Sequence, residues 1–210
     1  MNARRVGILG GTFDPIHAGH IALAQAAERA LDLTCVFLVP SSVPPHRPQP
    51  LTSSHHRFAM VSLAVMEHPG WQGSDVELQS PAPSYTSVTL QRFRDLGYSA
   101  AELFFVIGAD AFADIRTWKN YPDILDAAHF AVVSRPGSPV QSLAERLPEL
   151  AARMRPPAAA ADAHGVSIFL IDAATADVSS TAIRQRRQQG QSIAGLVPRG
   201  VEQHIEQHGL

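Results

Sequence analysis

The sequence has few of the features that mark a secreted, membrane-spanning or highly charged protein. Its single cysteine, Cys35, excludes an intramolecular disulfide and is typical of a reducing compartment. Charged residues make up 17% of the chain and the formal net charge is -2, so no overall field attracts nucleic acid or an anionic membrane. No apolar run approaches the roughly 20 residues of a membrane span, and the run after Arg4 and Arg5 is too short for a signal peptide. We therefore expect a cytoplasmic protein that binds neither nucleic acid nor membrane.

Common phosphate-binding and metal-binding motifs are also absent. Neither G-x-G-x-x-G nor G-x-x-x-x-G-K-[ST] occurs, which disfavours a nicotinamide or flavin dehydrogenase and a P-loop protein. Several histidines are present, but H-E-x-x-H is missing and no cysteine lies near them. We expect no transition metal held by the protein.

Apolar segments alternate with segments of helical periodicity along the whole chain, and hydrophobic residues make up 45% of it. The predicted strands are 6–9, 36–39, 76–78, 103–107, 130–133 and 166–171, with Cys35 expected in the core. The predicted helices are 21–31, a segment capped by Ser53 or Ser54, 85–96 with Val88, Leu90, Phe93 and Leu96 inward, and a C-terminal helix through Val201 and Ile205. This alternation predicts an α/β fold, a Rossmann-like doubly wound parallel sheet with helices on both faces. We expect one domain, 1–210, with a C-terminal helical portion at about 179–210.

The stretch 10–20, GGTFDPIHAGH, joins the first predicted strand to the first predicted helix. Its paired glycines permit close approach of the backbone to a ligand, and the first N–H groups of the helix have no partners within the helix. His17 and His20 lie one turn apart and can face one phosphate if the helix has begun. The stretch therefore predicts an anion site. A plain glycine turn with two capping or surface histidines is the alternative.

Other polar residues also follow predicted strands, at the edge where a parallel sheet binds ligands. Gly108 and Asp110 follow the predicted strand 103–107. Asp110 could accept hydrogen bonds from ribose hydroxyls, and it is equally explained as a helix cap. After the last strand, Ser179 or Ser180 can cap a helix that carries Arg184 one turn after its start. Hydroxyls, free N–H groups and a guanidinium in one place suit a polyphosphate, although ordinary capping with Arg184 in solvent remains possible on the residues alone.

The stretch 10–20 resembles the HxGH signature of the nucleotidyltransferase superfamily and, in its full form, the bacterial nicotinate-nucleotide adenylyltransferases. Further segments resemble the same family in the same order. They are a substrate loop at 43–47, PSYT at 83–86, IGxD at 107–110 with Trp118 at the family spacing, and ISSTxIR at 178–184 with valine in place of isoleucine. The resemblance extends from Gly7 to about Ile205.

This resemblance implies that nicotinate mononucleotide attacks the α-phosphorus of ATP, giving nicotinate adenine dinucleotide and pyrophosphate in NAD biosynthesis without a covalent intermediate. It implies catalytic roles for His17, His20 and Arg184 at the charge that develops on the phosphates. It implies ATP binding by Gly10, Gly11, Thr12, Phe13, Gly108, Asp110, Arg135, Ser179, Ser180 and Thr181. It implies binding of the mononucleotide by His46, Arg47, Arg57, Ser84, Tyr85, Thr86 and Trp118, with Trp118 stacked on the pyridine ring. Mg²⁺ would be carried on the ATP phosphates, without a carboxylate cage.

Several alternatives stay open. Trp118 is also explained as a core residue, PSYT as a capping turn and 43–47 as a solvated loop. The acceptor could be the amide mononucleotide or phosphopantetheine, and a non-catalytic nucleotide-binding protein is the alternative from another class. The oligomeric state is not predicted.

Overall fold

A computed structural model of the chain describes residues 4–45, 49–161 and 165–210, and its centre is a seven-stranded sheet. The strands are Val6–Gly11 (β1), Cys35–Pro40 (β2), Trp71–Gly73 (β3), Leu103–Gly108 (β4), His129–Val133 (β5), Met154–Arg155 (β6) and Ile168–Ile171 (β7). Neighbouring strands pair in parallel, in the order β3-β2-β1-β4-β5-β7-β6. The chain changes direction across the sheet between β1 and β4, which is the switch point of a Rossmann-like doubly wound fold. The predicted fold class is confirmed.

The structure has seven α-helices in the part of the chain that it describes, five of them between strands and two after the last strand. They are Ala18–Leu31 (α1), Ser54–Val65 (α2), Thr86–Asp95 (α3), Ala109–Phe112 (α4), Leu143–Arg146 (α5), Ser180–Gln188 (α6) and Arg199–His208 (α7). Short 3₁₀ turns complete the connections. Within the described ranges, no helix is both long and apolar enough to cross a membrane.

Helices cover both faces of the sheet. Side chains of α1, α2, α6 and α7 pack on one face, and side chains of α3, α4 and α5 pack on the other. β4 lies in the middle and is buried along its whole length, with Phe104 directed to the first face and Phe105 to the second. A strand covered on both sides has no reason to alternate apolar with polar residues, which explains its continuous apolar sequence.

The prediction of a strand at 76–78 is wrong. These residues form a hydrogen-bonded turn in which the N–H of Leu78 donates to the carbonyl of Asp75, 2.7 Å away. The third strand is instead β3, a three-residue edge strand that pairs with β2. Its Trp-Gln-Gly sequence carries too few apolar residues to produce a periodic signal. The two-residue strand β6 on the opposite edge escaped prediction for the same reason.

Two side chains that the sequence predicted to be inward in the third long helix are exposed instead. Leu90 and Phe93 are buried, but Val88 is 40% exposed and Leu96, which follows the last helical residue, is 69% exposed. Cys35 is only partly buried because it is the first residue of β2, and this partial burial raises the pKa of its thiol.

Candidate active site

His17 and His20 cap the helix that follows the glycine turn. Nδ1 of His17 accepts a hydrogen bond from the N–H of Gly19 at 3.2 Å, and Nδ1 of His20 accepts one from the N–H of His17 at 3.3 Å. This reciprocal capping box starts α1 at Ala18, three residues before the predicted start. Because Nδ1 is the acceptor in both rings, a neutral ring at either position carries its hydrogen on Nε2.

The two imidazoles are stacked on each other, with ring centroids 3.7 Å apart. His17 is 3% exposed, whereas His20 is half-buried and meets the edge of the Phe13 ring. Burial, together with the positive charge of Arg135, lowers the pKa of His17 to about 4. His17 is therefore neutral at pH 7 in the ligand-free protein, and it would meet a phosphate as a hydrogen-bond donor rather than as a cation.

The glycines of this stretch differ in whether packing leaves room for a side chain. A Cβ at Gly11 would lie 2.8 Å from the Phe13 ring, and a Cβ at Gly19 would lie 3.1 Å from the His17 ring and 3.2 Å from the carbonyl oxygen of Val178. A Cβ at Gly10 would make only ordinary contact with Phe105, at 3.7 Å, so packing alone does not require glycine there. The freedom of Gly10 is consistent with close approach of a ligand.

Phe13 is predicted to bind ATP, and the structure buries its side chain. Its side chain is 1% exposed and belongs to the hydrophobic core, while its backbone lies in the left-handed region with φ of 50°. Only the backbone of Phe13 remains for a ligand. The ring instead supports His20 from the edge.

The segment 178–184 reaches the glycine turn from the other end of the chain. Ser179 caps α6, its Oγ accepting a hydrogen bond from the N–H of Ala182 at 3.2 Å. Ser180 Oγ donates to the carbonyl of Pro15 at 3.0 Å. Arg184 Nη1 donates to the carbonyl of Asp14 at 2.6 Å. Arg184 is therefore not a solvent-exposed helix residue but lies beside the turn that carries the two histidines.

The ends of β4 and β5 approach the same place. A Cβ at Gly108 would lie 2.5 Å from Oδ1 of Asp110 and 2.9 Å from Cγ of Arg135, so a larger residue would force these side chains to move. Arg135 in turn is near enough to His17 for its charge to lower the pKa of that ring. Three of the predicted ATP-binding residues thus gather at the switch point of the sheet.

Arg57 was predicted to contact the mononucleotide, and the structure gives it another role. The residue is 1% exposed, and N–H groups of its guanidinium are directed to backbone carbonyls rather than to a ligand. Nη1 donates to the carbonyls of Thr12 and Ser41, both at 2.8 Å, and Nε donates to the carbonyl of Thr52 at 3.2 Å. Arg57 is a positioning residue that ties the glycine turn to the loop after β2.

Asp14 completes this arrangement, although the sequence did not single it out. It is buried, and its Oδ2 accepts hydrogen bonds from the N–H groups of Leu51 at 2.9 Å and Thr52 at 3.4 Å. Its negative charge opposes the lowering of the pKa of Arg57 by burial. A charged residue between Phe13 and Pro15, in an otherwise uncharged stretch, was the available signal.

A pocket of about 140 Å³ lies beside the start of α3. Ser84 closes one side, its Oγ accepting the N–H of Ser42 and its own N–H donating to the carbonyl of Val43, both at 2.8 Å. Tyr85 is the N-cap residue of α3 and Thr86 its first residue, with no side-chain cap at Tyr85. The start of α3 thus adjoins both the loop after β2 and the pocket.

Three charged residues that were not predicted as site residues also line this pocket, namely Glu77, Arg92 and Lys119. Nζ of Lys119 lies 4.3 Å from the centroid of the Tyr85 ring, and burial raises the pKa of Glu77. Lys119 is the only lysine in the sequence and follows Trp118, which was a usable signal.

Trp118 is partly buried and meets the ring of Phe105 edge-on at 6.1 Å. It therefore has both a packing contact and an accessible portion. The predicted residues His46 and Arg47 lie outside the described residues.

The comparisons with known proteins agree with this geometry. Residues 8–186 match the cytidylyltransferase-like family. The probable nicotinate-nucleotide adenylyltransferase of Roseiflexus sp. (strain RS-1) is 40% identical, covering 100% of this chain and 99% of that protein. The probable nicotinate-nucleotide adenylyltransferase of Pectobacterium atrosepticum is 42% identical, covering 96% of this chain and 95% of that protein.

A solved structure shares the fold at much lower sequence identity. The Plasmodium falciparum nicotinic acid mononucleotide adenylyltransferase complexed with NaAD has a TM-score of 0.73 and 18% identity, with 99% of this chain and 97% of that chain covered. Full-length similarity at about 40% identity is enough to assign the family. The chain belongs to the cytidylyltransferase-like family and, within it, to the nicotinate-nucleotide adenylyltransferases.

Proposed function

We propose that this protein transfers the adenylyl group of ATP to nicotinate mononucleotide, producing nicotinate adenine dinucleotide and pyrophosphate. The observation that carries the proposal is the convergence of α6 on the glycine turn, through the bonds of Ser180 to Pro15 and of Arg184 to Asp14. These contacts join residues 165 and 170 positions apart. They assemble hydroxyls, ring N–H groups and a guanidinium at one edge of the sheet, which suits a triphosphate.

In the proposed reaction, a phosphate oxygen of the mononucleotide forms a bond to the α-phosphorus of ATP, and the bond to the β-phosphate bridging oxygen breaks. The attacking phosphate is already ionised at neutral pH, so no general base is needed. Catalysis then consists of positioning and of stabilising charge on the α-phosphate and on pyrophosphate. We assign the α-phosphate to His17 and His20, and the leaving group to Arg184 with the Ser179–Thr181 turn.

ATP would lie along the ends of β1 and β4, where the sheet changes direction. The backbone of 10–13 and the exposed carboxylate of Asp110 face this place, and Arg135 supplies a positive charge near His17. Asp110 is suited to accept hydrogen bonds from ribose hydroxyls. Arg57 acts on this site only through the backbone carbonyls that it holds.

The mononucleotide would lie between Trp118 and the start of α3. The exposed part of the Trp118 ring is suited to stack on a pyridine ring. The N–H groups of Tyr85 and Thr86 are suited to a carboxylate, although Tyr85 N–H already has a partner in the carbonyl of Pro83. His46 and Arg47 remain assigned to its phosphate by the family resemblance.

Mg²⁺ would be carried on ATP, where it neutralises charge on the phosphates. The possible metal ligands around the glycine turn are consistent with Mg²⁺ held by the ATP phosphates. Oδ2 of Asp14 accepts two backbone N–H groups, Oδ1 of Asp14 is buried without a hydrogen-bond partner, and no cluster of three or more acidic, histidine or cysteine side chains surrounds the turn within the described ranges. Mg²⁺ commonly keeps several waters and binds substrate phosphates in this way. A cytoplasmic location and the absence of nucleic-acid partners stay predictions.

The proposal is tested by pyrophosphate release from ATP with three acceptors in parallel. These are nicotinate mononucleotide, nicotinamide mononucleotide and phosphopantetheine. We expect fastest turnover with the acid mononucleotide and negligible turnover with phosphopantetheine. Preference for the amide would reassign the acceptor, and no release with any acceptor would support a non-catalytic nucleotide-binding protein.

A further inference from the structure

Three histidines from two helices meet on the face of the molecule formed by α2 and α7. His56 belongs to α2, and His204 and His208 belong to α7. Each offers one ring nitrogen, and these nitrogens all lie within 4.8 Å of one another. His204 and His208 are four residues apart, so one turn of helix directs both rings to the same side.

The rings are already in contact with one another. Nδ1 of His56 lies 3.0 Å from Nε2 of His204, and the ring centroids of His204 and His208 are 4.4 Å apart. In a tetrahedral zinc site with Zn–N bonds of about 2.0–2.1 Å, two ligand nitrogens lie roughly 3.4 Å apart. Small side-chain rotations would therefore bring three nitrogens to coordination distance.

The scaffold beneath these rings is fixed by packing at the other end of the helix pair. Leu63 of α2 lies against Gly200 of α7, where a Cβ would be 3.5 Å from Cβ of Leu63. Val201 and Ile205 hold α7 in the same hydrophobic cluster as Met60 of α2. Two antiparallel helices locked in this way present ligands with little loss of conformational freedom.

We propose that His56, His204 and His208 bind one divalent transition-metal ion, with zinc as the best match, and that the ion bridges α2 and α7. Three neutral imidazoles are a ligand set typical of zinc, with a fourth position left to water. The site is separate from the glycine turn, and it replaces the expectation that the protein holds no metal.

A metal ion bridging α2 and α7 would affect the glycine turn indirectly, because His56 directly precedes Arg57. Arg57 holds the carbonyls of Thr12 and Ser41, so an ion on His56 would restrain the first turn of α2 from which Arg57 extends. Hard cations such as Mg²⁺ prefer oxygen ligands and should not compete for three imidazoles.

The test is calorimetric titration of Zn²⁺ into the full-length chain, free of any histidine tag and stripped with a chelator. We expect one saturable site per chain that a large excess of Mg²⁺ does not displace. His208→Ala should weaken zinc binding roughly tenfold or more. His55→Ala should leave it unchanged, because His55 is the adjacent exposed histidine of α2 outside the cluster.

Thermal unfolding supplies a readout that does not depend on adenylyl transfer. At zinc concentrations about 100-fold above Kd, Tm of the wild type should rise by about 5 °C or more. Without metal, His208→Ala should have the same Tm as the wild type, because His208 is exposed. Zinc should raise the Tm of this variant only slightly. In the calorimetric titration, His204→Gln should weaken zinc binding as His208→Ala does. Absence of saturable binding, or equal weakening in the His55 and His208 variants, would overturn the proposal.

Discussion

At the scale of single residues, His17 and His20 form one unit because each ring caps the backbone that holds the other. The capping bonds fix both Nδ1 atoms as acceptors and leave Nε2–H as the donor of each neutral ring. Buried preorganised donors of this kind stabilise developing charge without reorganising during the reaction. The neutrality of His17 therefore suits a role in positioning and donation.

The low pKa of His17 predicts a measurable dependence of stability on pH. Its folded-state pKa of about 4 lies below the ordinary value of 6.5, so the unfolded chain binds more protons between these values. Stability is therefore lost as the pH falls from about 6.5 to about 4, with a contribution from His17 of about 3 kcal/mol.

His17→Asn isolates this contribution, because asparagine is a good N-cap that does not titrate. Urea unfolding at a series of pH values should show a shallower loss of stability in the variant than in the wild type. His129 and His204, whose pKa values are also lowered, remain in both proteins and cancel in the comparison. Identical pH profiles would show that His17 is not the buried neutral group described above.

Trp118 gives a second prediction at this scale. If the exposed portion of Trp118 stacks on the pyridine ring, Trp118→Ala should raise KM for the mononucleotide by roughly tenfold. This factor lies within the range of stacking free energies of aromatic pairs. KM for ATP should stay nearly unchanged. Trp118→Phe should recover part of the loss. Equal increases in both KM values would assign Trp118 to the core, through its contact with Phe105.

At the scale of elements, the glycine turn is held from outside by Arg57 of α2. The guanidinium is buried and donates to carbonyls of three separate loop residues. Removing it leaves these acceptors and the buried carboxylate of Asp14 without their positive partner. Breaking a buried charged network of this kind commonly costs about 3–5 kcal/mol.

We therefore expect Arg57→Ala to lower the free energy of unfolding by about 3 kcal/mol or more in urea denaturation. The matched control is Arg94→Ala, because Arg94 is exposed on α3 and its loss should change stability by less than about 0.5 kcal/mol. A similar small effect for both variants would contradict the positioning role of Arg57.

Sequence patterns predicted the long elements well and the short or marginal ones poorly. β4 was predictable because burial on both faces produces a continuous apolar run. β3 was not, because its few residues pair on one edge and depend on the neighbouring β2. Leu96 was misplaced because helical periodicity does not reveal that α3 ends one residue earlier.

The candidate site shows the same division. The sequence could single out His17, His20 and Arg184 because their motifs are local and specific, and their catalytic roles stay predictions. The burial of Arg57 and the neutrality of His17 were not, because both depend on contacts with residues distant in sequence. A list of matching residues therefore does not separate groups that meet the ligand from groups that position them.

At the scale of the whole molecule, the C-terminal portion completes both the core and the site. Ile183, Val201 and Ile205 belong to the same hydrophobic cluster as Leu9 and Ala24 of the first βα unit. This shared core supports our proposal of a single domain over 1–210. It also explains how α6 reaches the glycine turn.

The central claim is that α6 and the glycine turn act on one triphosphate. A double-mutant cycle of His20→Ala and Arg184→Ala on kcat/KM for ATP tests it most directly. Arg186→Ala is the control, because Arg186 lies on the same helix but bonds the carbonyl of Ser192. We predict a loss of roughly 10²-fold for each single variant and a combined loss clearly smaller than their product. Strict multiplication of the two losses, or wild-type turnover in His20→Ala, would contradict the account.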